Sequence, residues 1–322
     1  MVDHFRVAGD FGIATEGALV FAQIVGRVRA LHHSQPIDLI HAHEALPCGH
    51  AAMLLSQELG IPFVVSVHGL DYFSVLQKEG ELYVPGDRIS RRTYASAQRV
   101  ICESEQLREL LLRKMGRTCR TSVVYNGVDP QLFLPVESSL SESLVVLTAG
   151  SLLSVQGYEC LLHAAFSLAS EFPGLCWEII GDQPNGSRFK NLARQLAVQT
   201  NVRFLGDLAR HDDSTAMKSC TLFALPIRDF GLGNVYFEAM SSGKVVIGCR
   251  GNAITEIIHH GFNGFLVGPE NDKELALAVA MLLRDKSRRD ILGRAARDTI
   301  LDGLTLLNQA EHLGRIYRES IT

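Results

Sequence analysis

Along the 322-residue chain, short runs of β-branched and other apolar residues alternate with longer stretches of helical period. In the first half the runs are DLIHAH (38–43), PFVVSVH (62–68), RVICES (99–104) and TSVVY (121–125). The second half supplies LVVLTAG (144–150), LCWEIIG (175–181), VRFL (202–205), TLFAL (221–225), KVVIG (244–248) and GFLV (264–267). Near-continuous apolar strands separated by helices are the pattern of a parallel sheet, because helical crossovers cover both of its faces. The pattern predicts an α/β protein of two Rossmann-like, doubly wound domains. Four strands precede a Pro-, Ser- and acid-rich break at DPQLFLPVESSLSES (129–143), and six follow it. The expected division is a first domain over 1–135, a linker over 136–143, a second domain over 144–300, and a terminal helix over 301–322 that can return to the first domain.

One stretch breaks the plain alternation. FGLGNVYFEAMSSGKVVIG (230–248) follows the TLFAL strand and sets Gly231, Gly233 and Asn234 at the front of a short amphipathic helix, with Glu238 one turn in and Gly243 at its close. In open parallel sheets ligands bind outside the carboxyl ends of the strands. Bare glycine backbone and the free N–H groups of a helix start favour phosphate oxygens there. A glutamate cannot hold a phosphate, but it suits the paired hydroxyls of a ribose. A simple turn followed by a solvated glutamate fits the same spacing, so the residues alone leave both readings open.

Composition narrows the field. A net charge of −4 gives no electrostatic footprint for nucleic acid, and 20% charged with 47% hydrophobic residues is ordinary for a folded enzyme-sized chain. The seven cysteines are scattered, odd in number and without a CxxC pair, which points to reduced thiols rather than a disulfide framework. No apolar run approaches the ~18 residues of a membrane span, and MVDHFRVAGDFG lacks a signal-peptide layout. The expected location is cytoplasmic. Arg88, Arg91 and Arg92 on a predicted helix leave room for peripheral contact with the anionic inner face of the cell membrane.

With these motifs assembled, the chain resembles the family-4 glycosyltransferases, retaining enzymes of the GT-B fold. The second half carries the resemblance in LTAGSLL, GDQPNGSRFKNL, NVRFLGDL, FGLGNVYFEAMSSGKVVIG and HHGFNGFLVGPEND; the first half carries it in IDLIHAHEALPCGHAA, IPFVVSVHGLD, RVICESE and VVYNGVDPQLFLP. The resemblance implies transfer of a sugar with retention, in a cleft between the domains. The donor would be a UDP- or GDP-sugar and the acceptor a glycan or a lipid-linked acceptor, with no metal and no cofactor. By the same pattern Glu238 is the ribose-binding acid, Gly233 and Asn234 form the cradle by the diphosphate, and His68 of VHGLD faces the transferred sugar. His68, Asp229 and Glu238 are the expected catalytic set. Gly150, Ser151, Gln156, Phe230, Gly231, Gly233, Asn234 and Glu238 are the expected donor-binding set.

The departures from the family pattern are as specific as the match. Where the family carries an arginine after the first strand of the second domain and a lysine five residues on, this sequence has Ser151 and Gln156. Two charge-assisted phosphate contacts are absent, each worth ~1.5–3 kcal/mol. If both act only in the transition state, turnover falls by roughly 10²–10⁴. The family's first paired acid falls at Phe230, with Asp229 one place earlier. The expected opening strand and glycine turn have no counterpart in MVDHFRVAGDFGIATEGALVFAQ, so the first domain is expected to be incomplete, as in a shortened chain. Two function classes stay open: an active glycosyltransferase, and a non-catalytic or truncated relative that binds a nucleotide. A nucleotide-sugar epimerase on the same fold fits the motif order less well.

Several residues read as structural. His41 and His43 share a strand face without a third metal ligand at telling spacing, which suits a strand-end or cleft role. The pairs His32–His33 and His259–His260 read as surface loops and Trp177 as core, while Asp182 sits at a strand end where loop-capping and ligand contact fit equally well.

Overall fold

The structure is a computed structural model and describes residues 13–68, 87–115, 119–136, 144–150, 155–181, 186–206, 210–226 and 232–321. The chain divides into two compact units, Met1–Tyr125 with Ala310–Thr322, and Asn126–Gln309. This division falls at Tyr125/Asn126, ahead of the expected linker, most of which lies outside the described residues.

In the first unit the strands are β1 (Ile40–His43), β2 (Phe63–Val67), β3 (Arg99–Cys102) and β4 (Thr121–Val123), all parallel and in the order β1-β2-β3-β4. Side chains alternate across this sheet with period two. Phe63, Val65, Val67, Val100 and Cys102 face a core with Tyr94, Leu107 and Leu111, whereas Val64 and Ile101 pack on Val124, Ile316 and Tyr317. Both faces are covered, the second by helix Leu306–Ile321 near the chain's end.

The second unit holds β5 (Val145–Ala149), β6 (Cys176–Ile180), β7 (Val202–Gly206), β8 (Leu222–Ala224), β9 (Val246–Cys249) and β10 (Phe265–Val267), again parallel. Their order is β10-β9-β8-β5-β6-β7. All ten strands stand where the apolar runs predict them.

Helix ends follow side-chain chemistry. Asn271 accepts the Glu274 N–H at 3.0 Å to start helix Asp272–Arg284, and Asp285 accepts the Arg288 N–H at 2.9 Å to start helix Lys286–Leu301. Helix Asn234–Ser241 closes as the sequence indicates, on Gly243 at φ 69°. The Gly243 N–H donates to the Met240 carbonyl and the Lys244 N–H to the Ala239 carbonyl, at 2.9 and 3.0 Å, the paired bonds of a Schellman end. Trp177 is core, 2% exposed. One expectation fails: His32 and His33 are not in a loop but in the last turn of helix Ile13–Ser34, where His32 Nδ1 accepts the Ile37 N–H at 2.9 Å. His259 and His260 are exposed as expected, although His260 Nδ1 also accepts the Leu266 N–H at 3.0 Å.

Candidate active site

The sheet order of the second unit locates its ligand end. From β5 the chain moves outward through β6 and β7, then returns to pair β8 on the other side of β5. Such a reversal parts the loops at the carboxyl ends of the two adjoining strands, and ligands bind in the gap. Gly150 follows β5 directly, and the segment after β8 leads to Gly233 and helix Asn234–Ser241. The Gly150 N–H donates to the Ile180 carbonyl at 3.1 Å, while its own carbonyl accepts the Tyr158 hydroxyl at 3.2 Å. Of the expected donor-site glycines, Gly150 and Gly233 therefore lie beside the switch point.

The start of helix Asn234–Ser241 is held by its own third residue. Tyr236 is 3% exposed, donates its hydroxyl to the Leu225 carbonyl, and meets Phe223 of β8 edge-on at 5.6 Å. Gly233 carries φ 69°, and a Cβ there would lie 3.0 Å from the Tyr236 ring, so any other residue is strained above the anchor. Asn234 and Glu238 share a helix face by their i, i+4 spacing; Asn234 is exposed and Glu238 half-buried. The Asn234 Oδ1 accepts from Asn126 Nδ2 at 3.0 Å, and Asn126 Oδ1 in turn accepts from Gln309 Nε2 at 3.2 Å. Sequence reasoning gave Asn126 and Gln309 no role, although Asn126 stands in VVYNGVDP. Ser151, Asp229, Phe230 and Gly231 lie outside the described residues, as does Asp182, and of Gln156 only its place in helix Val155–Leu168 is described.

In the first unit, polar residues gather where β1, β2 and β3 end. The parallel register sets His43 beside Ser66 and Val67 beside Cys102, so Glu44, His68 and Glu103, each one residue past its strand, fall together. His68 Nε2 lies 2.8 Å from His43 Nδ1, and His68 Nδ1 lies 3.6 Å from the Glu103 carboxylate. The His68 backbone N–H donates to Glu44 Oε1 at 3.0 Å. Glu44 is buried and holds φ 64°, ψ 153°, a region that non-glycine residues avoid and that costs about 1–3 kcal/mol. His41 Nδ1 is 2.6 Å from the Tyr317 hydroxyl and its Nε2 2.8 Å from Ser66 Oγ. Burial, then the neighbouring His43 and His68, lowers its pKa to about 4, so it is neutral near pH 7. Burial followed by His68 lowers that of His43 as well. The sequence singles out His43 as a strand-end or cleft residue and gives Glu44 and Glu103 no role.

His41 stacks on His43, with centroids 4.6 Å apart, whereas His43 and His68 are nearly coplanar, 5.1 Å apart at 11°, and meet end to end through the 2.8 Å nitrogen contact. Among the described residues no group of three or more His, Cys, Asp or Glu could hold a metal ion. The seven cysteines are free thiols, and burial, the largest cause, pushes Cys102, Cys160 and Cys220 up to about 12, which leaves them unreactive. No described helix is long and apolar enough to cross a membrane.

Known proteins match over both units. The family model for glycosyl transferases group 1 matches residues 134–299, and that for glycosyltransferase family 4 matches residues 4–132, most of the opening segment included. An uncharacterised glycosyltransferase of Methanocaldococcus jannaschii is 27% identical over 82% of this chain and 71% of its own length. A D-inositol 3-phosphate glycosyltransferase of Stackebrandtia nassauensis is 25% identical over 92% of this chain and 72% of its own. Among solved structures, Anabaena HepE in complex with UDP superposes with a TM-score of 0.78 at 22% identity, covering 92% of this chain and 82% of that one, which shows the shared GT-B fold. With a nucleotide-type switch point in the second unit and both family models matched in sequence, the chain belongs to the family-4 glycosyltransferases.

Proposed function

We propose that this protein transfers a sugar, with retention of anomeric configuration, from a nucleoside diphosphate sugar to a hydroxyl of a glycan or lipid-linked acceptor, without a metal or other cofactor. The observation that carries the reading is the placement of Gly150, Gly233 and helix Asn234–Ser241 in the two loops that flank the β5/β8 switch point. The N–H groups of Gly233 and Asn234 receive the diphosphate, where they oppose the charge that develops on the leaving group as the glycosidic bond breaks. Glu238, one turn further along the same face, takes the ribose hydroxyls. By the family pattern His68 faces the transferred sugar, and Asp229 takes the part of the family's first acid.

Uracil is the favoured base, because HepE, one structural relative, is solved with UDP and also with UDP-glucose. Ser151 and Gln156 replace two cations of the family pattern, so diphosphate binding is retained better than turnover. Peripheral membrane contact would run through the exposed face of helix Asp87–Ser96, on which Arg92 is exposed.

A calorimetric and thermal-shift panel of UDP, GDP and ADP tests the reading. Saturating UDP at about 100 Kd should stabilise the chain by ~2.7 kcal/mol, and Glu238→Ala should remove most of that gain. A flat response to all three nucleotides would overturn it. The anomer of the product, read by proton NMR, tests retention.

A further inference from the structure

Resting on the glycosyltransferase reading, we propose that Gln309 and Asn126 are positioning residues for the donor diphosphate. They fix the polarity of the Asn234 side-chain amide, so that its NH2 group rather than its carbonyl meets the phosphate oxygens at the start of helix Asn234–Ser241. All three residues belong to the second unit.

An amide side chain has a donor end and an acceptor end of nearly the same shape, and its orientation follows from its partners. Here the partners form a chain that begins at a backbone group. The Gly127 N–H, which can only donate, gives its hydrogen to Gln309 Oε1 at 3.0 Å. Gln309 is left with Nε2 as its other end, and that atom donates to Asn126 Oδ1 at 3.2 Å. With its oxygen so engaged, Asn126 donates from Nδ2 to Asn234 Oδ1 at 3.0 Å. The last link leaves the Asn234 Nδ2 hydrogens on an exposed side chain, with no other side-chain partner among the described residues. Each amide's direction is set by the one before it.

The origin of the chain is held firmly. Val128 bridges Thr305 in parallel, its N–H donating to the Leu304 carbonyl and its carbonyl accepting the Leu306 N–H, both at 3.0 Å. A Cβ on Gly127 would stand 2.5 Å from the Thr305 carbonyl oxygen, so the backbone there lies directly against the segment that leads into helix Leu306–Ile321 and Gln309. Ionised phosphate oxygens only accept hydrogen bonds, and a donor already held in the right sense avoids the ordering cost of binding. A carbonyl in the same place would repel them.

A structural tether and a polarity relay differ in what a carboxylate does at position 309. Gln309→Glu keeps the shape and accepts from both the Gly127 N–H and Asn126 Nδ2. Every link is then remade with Asn126 and Asn234 reversed, and the Asn234 carbonyl takes the place of its NH2 group. Gln309→Ala cuts the chain and leaves Asn234 free to adopt either sense. Calorimetry with UDP on the full-length chain should give a Kd raised roughly tenfold or more by Gln309→Glu, but at most about threefold by Gln309→Ala. The glutamate variant should melt with the wild type and the alanine variant below it. The order of affinities should hold at about 1 M salt, where a screening length of ~3 Å removes the reach of the added charge. In the wild type UDP should move the Asn234 side-chain NH2 resonances downfield, and in Gln309→Glu it should not. A Kd that Gln309→Glu leaves unchanged, an alanine variant that binds more weakly than the glutamate one, an order lost at high salt, or Asn234 NH2 resonances indifferent to bound UDP overturns the relay. A wild type that binds no UDP overturns instead the nucleotide reading beneath it, so the two failures are told apart.

Discussion

Gly181 lies so close to Gly150 that a Cβ on the former would stand 2.0 Å from the carbonyl oxygen of the latter. The two residues directly follow the adjacent strands β5 and β6, and the approach lets the backbone after β5 turn without a side chain in the way. Gly181 also holds φ 138°, which side-chain-bearing residues rarely adopt. The obstacle is backbone and cannot rotate aside, so Gly181→Ala should destabilise the chain by roughly 3 kcal/mol or more. Urea unfolding of the variant measures this, and a change under 1 kcal/mol would show that the strands can part at little cost.

Glu44 combines a strained backbone with a carboxylate that holds the His68 N–H. Glu44→Ala removes the carboxylate and keeps the strain, whereas Glu44→Gly removes both. The glycine variant should be the more stable by about 1–2 kcal/mol, once glycine's extra unfolded-state freedom is deducted. Equal stability of the two would mean that the backbone relaxes at this position.

His41 makes stability depend on pH. Its folded pKa of about 4 lies below the ordinary imidazole value of 6.5, so the unfolded chain binds the proton more readily. Its contribution is fully present above pH 6.5 and is lost as pH falls toward 4. The ring is partly solvated, which reduces the effect to the order of 1–2 kcal/mol. Melting curves over this range should fall less steeply for His41→Gln than for the wild type. Parallel slopes would remove His41 from the account.

Asn126 acts through Asn234. Asn126→Ala removes the donor to Asn234 Oδ1 and the acceptor for Gln309. A lost hydrogen bond of ~1 kcal/mol corresponds to UDP affinity weaker by roughly threefold to tenfold, with little change in melting temperature. Calorimetry with UDP checks this, and unaltered affinity would show that Asn234 keeps its orientation unaided.

What could be read from the chain was local. Ten apolar runs marked ten strands because strand burial in a parallel sheet leaves a continuous apolar signature. Gly243 marked a helix end because its left-handed backbone there is a property of glycine itself. Gly233 and Glu238 stood out because their spacing is set within one helix. The tertiary structure alone decided the rest. The β5/β8 reversal depends on which strands pair, and pairing is a contest between whole surfaces that no single run encodes. His43, His68 and Glu103 lie 25 and 35 positions apart and meet only because the register of β1, β2 and β3 ends the three strands side by side. A residue's type and neighbours reveal its secondary structure, but the chemistry of a site arises from groups distant in the chain whose placement is settled by packing.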